Sequence, residues 1–417
     1  MSLVRPFKAL RPAAGKAEQV ASLPYDVMNR EEAKAMAAGN PDSFLYVGRS
    51  EIDLPDDVSA YDAEVYAKAR ENLVQMEADG VLVQDEKPMF YIYRQIMSGR
   101  VQTGLVATVS VDEYLNNKIK KHEYTREAKE IDRINHFDVC DANTEPIFLT
   151  YREQGEIRQL LNDFIKRNKP QAAFISEDEI SHYVWAISSD DLIRRIGELF
   201  REVPALYIAD GHHRSASAAK VALKRREQYP DAGPEAEFNY FLAVIFPDED
   251  LFIMDYNRVV KDLNGLSAAE FLRALQAKFT VKKHSAEQPF RPQTKGQFGM
   301  YLDGSWYELR ARPELYQGKD LVDSLDASVL QQNVLAPVLG IEDPRTDERI
   351  DFVGGIRGLG ELADRVDAGE AVAFALYPTT MDELLDIADA ELIMPPKSTW
   401  FEPKLRSGLF VHKLADE

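Results

Sequence analysis

Apolar positions recur along this chain in two rhythms, one helical and one alternating, and the interleaving of the two predicts a mixed architecture. Tyr61, Val65, Tyr66, Ala69, Leu73 and Met76 recur at helical spacing, which predicts a helix from about Asp57 to Asp79 that Gly80 ends. Upstream, Pro24 fixes its backbone angle and lacks an amide, so SLPYDVMNREEAK reads as a strand-to-helix turn. Asp26 or Asn29 would cap the short helix behind it, and Gly39 and Pro41 stop that helix. PMFYIYRQIM and VQTGLVATVSV read as strands of a hairpin turning at Ser98-Gly99. IFLTY is a strand, EIRQLLNDFIKRN a helix, AFISEDEISHYVWAIS a hairpin and DDLIRRIGELFREV a helix. ALYIAD is a short strand that runs into Asp210-Gly211 and then into the Ala-rich helix of HHRSASAAKVALKRREQYP. FLAVIFPDEDLFIMDYNRVV reads as a hairpin turning at Pro247-Asp248.

The pattern restarts near Asn264, which predicts two units, 1–264 and 265–417. The second holds a helix in SAAEFLRALQAKF, a hairpin in FGMYLDG and SWYELRARP, and an amphipathic helix in LDASVLQQNVLAPVLGI. AVAFALYP is a buried strand and MDELLDIADA a helix. Strands alternating with helices throughout place the fold in the α/β to α+β class, with a second α+β unit at the C-terminal end. One segment resists both rhythms: VDEYLNNKIKKHEYTREAKEIDRINHF is too polar for a core helix and too dense in titratable groups for a plain linker.

Composition sharpens this picture in three places. The 417 residues carry 50 Lys and Arg against 70 Asp and Glu, a net charge of −20. So acidic a surface disfavours nucleic acid and membrane surfaces as partners. The single cysteine, Cys140, excludes an intramolecular disulfide framework and any multi-cysteine metal site, and is read as a passive small residue. No apolar run approaches about 20 residues, and the simplest reading is a soluble, cytoplasmic protein. Its oligomeric state is not legible.

Candidate chemistry gathers in a few polar runs. Asp210-Gly211-His212-His213-Arg214 stands between an apolar strand and a helix. The first amides of that helix lack intrahelical acceptors and carry partial positive charge, which suits a phosphate. Gly211 lets a ligand approach the backbone, Arg214 offers a fork for phosphate oxygens, and the imidazoles can donate. Asp210, at the strand end, would hold a metal or orient His212. Glu123, beside His122, would serve as a general base, with Lys121, Thr125, Arg126, Asp132 and Arg133 around it as substrate contacts or supports. Asn143 and Glu145, in DANTEP ahead of a strand, are polar groups at a strand edge. Lys397, Ser398 and Thr399 follow two prolines and read as an anion clamp. GGIRGLG at 354–360 lacks dinucleotide-fingerprint spacing and is read as a loop.

The early PYDV, HEYT with a following DR, N-x-EPIFLTY, YIADGHHR and the closing MPPKSTWFEPKLRSGL resemble, in this order, the bacterial and archaeal family named domain of unknown function 1015. More distantly, the strand-DGHHR-helix unit is similar to the ParB and sulfiredoxin-like superfamily, nearest to its ADP-dependent free serine kinases. The resemblance implies a nucleotide-binding core with a large insertion. It also implies a phosphotransferase that uses ATP or ADP with Mg²⁺ on a small hydroxyl metabolite such as free serine. Carried over, Glu123 takes the proton of the substrate hydroxyl, His122 orients it, and Asp210, His212, His213 and Arg214 cradle phosphates and Mg²⁺. Hydrolysis of a small phosphoester, with Glu123 activating water, uses the same parts, and so does a nucleotide-bound switch without turnover. The chain departs from the small kinases in one respect: about ninety residues separate His-Glu from DGHHR. Either that insertion folds away from the site or Glu123 is not the equivalent residue.

Overall fold

The computed structural model describes residues 3–284 and 288–415. Two units emerge, Met1–Leu251 with Pro403–Glu417, and Phe252–Glu402. The division falls thirteen residues before the one expected after 264, and the chain's last segment returns to the first unit. Sheet pairing explains both differences. Tyr256–Val260 hydrogen-bonds to Ile350–Gly354 and Val372–Leu376, strands of the second unit. His412-Lys413 pairs with Ala142-Asn143 of the first. FLAVIFPDEDLFIMDYNRVV is therefore not a hairpin: Tyr240–Pro247 lies between Arg100–Ser110 and Ile147–Tyr151 in the first unit.

The first unit is built on an eight-stranded mixed sheet. Its spatial order is Ile119–Lys120, Leu206–Asp210, Ile147–Tyr151, Tyr240–Pro247, Arg100–Ser110, Phe90–Met97, Ser181–Ile187 and Ala172–Ile175. The Ser98-Gly99 turn has positive φ at both residues (50° and 79°), the geometry that matches strand twist in a two-residue hairpin. On one face Ile92, Leu105, Ile147, Ile208 and Phe241 pack with Leu161, Phe200 and Val221 of the helices Gly155–Arg167, Asp190–Glu202 and His212–Gln228. On the other, Tyr91 meets Phe7 and Phe410 at 5.4 and 5.3 Å between ring centroids. The helix behind the PYDV turn begins at Arg30 with Asn29 as its cap, the Asn29–Glu32 pair forming a capping box.

The polar 111–137 segment corrects the sequence reading. Glu127–Cys140 is a helix packed on His212–Gln228, and it buries Glu130, Asp132, Arg133 and His136 beside Phe137 and Cys140. Charge does not keep a helix out of the interior when each charge meets a partner there. Cys140 is buried, and burial pushes its thiol up to about 12, which keeps it protonated and inert.

The second unit has a six-stranded antiparallel sheet in the order Phe279–Lys283, Ser305–Ala311, Gln297–Leu302, Val372–Leu376, Tyr256–Val260 and Ile350–Gly354. Helix Ala268–Gln276 and the segment from Asp326 cover one face through Phe271, Leu275, Leu330 and Val334. Helix Gly360–Asp367 covers the other through Leu362 and Val366. The amphipathic segment is α-helical over Asp326–Leu330 and widens to a π-helical turn over Gln331–Leu335. Among the described residues no helix is long and apolar enough to cross a membrane.

Candidate functional site

The ninety-residue gap closes through one parallel strand pair. Ile119 and Lys120 lie in register beside Leu206 and Tyr207, so both chains leave the sheet at the same end. One continues into Lys121-His122-Glu123, the other through Asp210 into Gly211-His212. Everything from the Glu127–Cys140 helix to Glu202 forms other strands and helices of the first unit. A register break between Ile208 and Asp210, against Leu149 and Phe148, marks a bulge at the end of the motif strand.

Gly211 then reverses direction at φ 100°, a left-handed value that costs an L side chain energy. A Cβ here would also stand 3.1 Å from Arg214 Nε. The helix His212–Gln228 starts with no side-chain cap, which leaves its first-turn amides facing outward from the strand end. Two imidazoles tie the opposite loop to this helix end. His212 Nε2 accepts the His122 amide at 3.3 Å, and His213 Nε2 accepts the Arg126 amide at 3.0 Å. Burial holds both rings below the ordinary histidine range, so both are neutral and carry their proton on Nδ1. His212 Nδ1 faces Glu123 Oε2 at 3.8 Å, and the Glu123 side chain is 40% exposed.

These contacts reassign two expected roles. It is the His212 ring, and not that of His122, that approaches the Glu123 carboxylate, at a distance longer than a hydrogen bond. His122 is turned inward, 2% exposed, its ring 4.4 Å from that of His212 and nearly perpendicular to it. Burial lowers the His122 pKa to about 4, and among the described residues neither ring nitrogen has a hydrogen-bond partner. His212 and His213, in turn, spend Nε2 on the loop rather than on a phosphate.

Arg214 is the second correction. Its guanidinium is 3% exposed, donates to the Pro146 carbonyl at 2.7 Å and lies 3.6 Å from Asp210. It stands in the first turn of the helix on the buried side, so it supports the turn from beneath and is not an open fork. Burial opposes its charge, yet Asp210, Asp26 and Glu145 hold its pKa above the ordinary value. Asp210 is also met by Lys404, at 3.4 Å, from the returning C-terminal segment. Burial would raise the Asp210 carboxyl, but Lys404 and Arg214 outweigh it and hold the group well below the usual range.

The remaining expected residues extend this pattern into a line of alternating charge. Asp132 accepts from Tyr66 and from Arg133, both at 3.0 Å. Arg133 lies over the Tyr25 ring at 3.8 Å and attracts Glu145. Glu145 is buried and accepts the Tyr25 amide at 3.3 Å. Burial raises its carboxyl despite Arg133 and Arg214. Asp132, Arg133, Glu145, Arg214, Asp210 and Lys404 thus alternate from negative to positive in turn at the helix end; the first four are buried beneath it, while Asp210 and Lys404 are partly exposed. Asn143 likewise is internal, its Oδ1 accepting the Leu242 amide at 3.3 Å. Thr125 donates to Glu130, which Lys220 also meets. Lys121 turns back over the Tyr114 ring at 4.0 Å, and Arg126 is exposed at the rim. Lys397, Ser398 and Thr399 belong to the second unit, where Lys397 is exposed, Ser398 buried and Thr399 partly buried. Lys404 is the residue the sequence reading missed; it lies inside the quoted closing motif, but lysines of that kind are common on surfaces and nothing local pairs it with residue 210.

A family model described as "Protein of unknown function (DUF1015)" matches residues 4–328. The chain belongs to this family. The match ends before Pro403, so Lys404 of this DUF1015 protein lies beyond it. Comparison with curated proteins returns no match. Among solved structures, a conserved hypothetical protein from Pyrococcus furiosus is 14% identical, with 73% of this chain and 94% of that one covered and a TM-score of 0.35. A mutant free serine kinase in complex with ADP is 13% identical, with 73% and 92% covered and a TM-score of 0.36. SbnI from Staphylococcus aureus, truncated at its C-terminus, is 13% identical, with 73% and 86% covered and a TM-score of 0.39. At such distances they bring no activity to this DUF1015 chain, and its site is read from its own residues.

Proposed function

We propose that this DUF1015 protein is a nucleotide-dependent phosphotransferase that acts on a small hydroxyl metabolite, free serine being the first acceptor to test. One observation carries the reading: an accessible carboxylate, Glu123, stands 3.8 Å from His212 Nδ1 beside the uncapped start of a 17-residue helix. The helix end supplies amides and a positive dipole for a terminal phosphate, and Gly211 leaves room for it to approach. Lys404 and Arg126 add positive charge at the strand end and the rim. Phosphoryl transfer needs this combination of charge and positioning more than covalent chemistry.

The acceptor hydroxyl oxygen forms a bond to the terminal phosphorus as the bond to the bridging oxygen breaks. Glu123 takes the hydroxyl proton, and the shortened nucleotide leaves with the electron pair. The Nδ1 proton of His212 keeps the carboxylate aimed while it is charged. Among the described residues no three His, Cys, Asp or Glu side chains are grouped to hold a metal. Asp210 is one carboxylate already facing two cations, so it fits Mg²⁺ only as a single ligand to an ion that arrives with the nucleotide. Bound there, Mg²⁺ would neutralise phosphate charge.

The test is an initial-rate assay of ATP and ADP consumption with and without serine. Acceptor-dependent consumption that falls about 10²–10⁴-fold in Glu123→Gln, with nucleotide binding retained, is the expected result. Phosphate release from O-phosphoserine without nucleotide would replace this reading with a phosphatase. Tight nucleotide binding without acceptor-dependent turnover would replace it with a switch.

A further inference from the structure

The second unit contains a narrow cleft bordered by Tyr256, Arg258, Lys295, Asp326, Thr379 and Ser398. Its free space is about 10 Å³, enough for one water-sized group. Arg258, on the strand Tyr256–Val260, is 4% exposed. Its guanidinium donates to the Tyr256 carbonyl and, at 3.5 Å, to the Pro396 carbonyl, and lies 5.3 Å over the Phe352 ring. No carboxylate among the described residues pairs with it.

The acids that border the cleft are already engaged. Glu383 is paired with Lys295 and closes the capping box at Thr380. Asp326 accepts the Gly296 amide at 3.0 Å and the Tyr316 hydroxyl at 2.6 Å. Asp255, three positions before Arg258, points to the opposite side of the strand and is met by Asn257 and Arg291. A buried guanidinium with only carbonyls and a ring for company is costly, and an entering anion removes that cost. Burial accordingly lowers the Arg258 pKa to about 10.

The closing motif forms one wall of this cleft. Lys397 takes a left-handed φ of 56°, unusual for a side-chain-bearing residue, and its ammonium lies 5.6 Å from the Tyr256 ring centroid. The Ser398 hydroxyl is tied to the Pro395 carbonyl at 2.7 Å, and Thr379 donates to the Ser398 carbonyl at 2.9 Å. Expected as the clamp, Lys397 instead stands exposed at the edge, while the buried cation comes from a strand the sequence reading did not single out.

We propose that the second unit carries its own oxyanion site, in which Arg258 takes one oxygen of a phosphate or a carboxylate entering end-on beside Pro396 and Ser398. The size of the cleft limits the ligand to one inserted oxygen and leaves the rest of the molecule outside. The site is independent of the reading given for Glu123 and His212, and stands if that reading falls.

Isothermal calorimetry on the full chain, with sodium phosphate and sodium acetate at ionic strength matched by chloride, tests it. At least one anion should bind, and Arg258→Met should weaken that binding at least about tenfold, as loss of a charged hydrogen-bond donor does. Binding to phosphate alone identifies a phosphoryl ligand, and binding to both identifies any oxyanion. The same titration on Gly211→Val, which obstructs the first unit's helix end, should retain this binding. If Arg258→Met does not fold, Arg258→Lys decides: it keeps the charge but loses the fork, and affinity should fall at least about threefold. Binding of neither anion above chloride overturns the proposal. So does affinity unchanged in the Arg258 variant measured, or loss of all binding in Gly211→Val alone.

Discussion

Two arginines in this protein are buried almost equally, Arg214 at 3% and Arg258 at 4% exposure, and their surroundings are opposite. Arg214 lies among Asp210, Glu145 and Asp26, which keep its pKa above the ordinary value. Arg258 faces carbonyls and an aromatic ring, and its pKa falls. The same side chain is architecture in one unit and an unanswered charge in the other. Burial alone therefore says nothing about the use of a charge; the neighbours decide.

Matched substitutions break this comparison most directly. Arg214→Met removes the hydrogen bond to the Pro146 carbonyl and one cation from the Asp210–Lys404 cluster, and should cost roughly 3–5 kcal/mol. Chemical denaturation of the first unit measures it; a cost under about 1 kcal/mol would show that the alternating charges are not structural. Replacing Arg214, expected from the sequence as a fork for phosphate oxygens, thus reads out first as a loss of stability at the helix end.

Acid should act on the two units in opposite directions. His122 titrates at about 4 in the fold against an ordinary 6.5, so the unfolded chain binds its proton first. Stability it contributes above pH 6.5 is lost as pH falls toward 4, about 3 kcal/mol for this ring, with His212 adding in the same sense. Asp326 is raised from 3.8 to about 6, chiefly by burial. Its contribution is full below 3.8 and lost as pH rises through 6, again about 3 kcal/mol. Hydrogen exchange at pH 7 and pH 5 should show the first unit loosening and the second tightening. Parallel changes would defeat the contrast.

Smaller effects sharpen it. Gly211→Ala should cost roughly 1–2 kcal/mol from its left-handed backbone alone, and more if Arg214 cannot yield. Thermal unfolding measures this, and a neutral outcome would mean that the turn can relax. Arg258→Met without added anion should stay within about 1 kcal/mol of the parent or gain stability, since a hydrophobic side chain replaces an unpaired charge. A loss as large as that of Arg214→Met would show that the carbonyls alone satisfy Arg258.

Much of the fold was legible where one rhythm ran unbroken. The Ser98-Gly99 hairpin, the IFLTY strand, the strand-Gly211-helix turn and the Asn29 cap follow from local pattern. Glu127–Cys140 was not legible as an interior helix, because its buried face is polar and its partners lie far away in sequence. Tyr256–Val260 was joined to the wrong strand because its apolar run continues straight past the unit boundary. At the site, the residues of DGHHR and HEYT were found, but their directions were not. Which way an imidazole or a guanidinium turns depends on Pro146, Glu145 and the register of Ile119 against Leu206, none of which is local.

The return of Pro403–Glu417 to the first unit has a consequence for manufacture. A ribosome delivers residues 1–251 with all eight strands of the large sheet, yet Asp210 must wait for Lys404, and Leu10 and Ser22 must wait for Val411 and Ser407. The second unit is made in between. The helix end therefore gains Lys404 only after the whole second unit has been made, so a chain cut before Pro403 carries the motif without that cation.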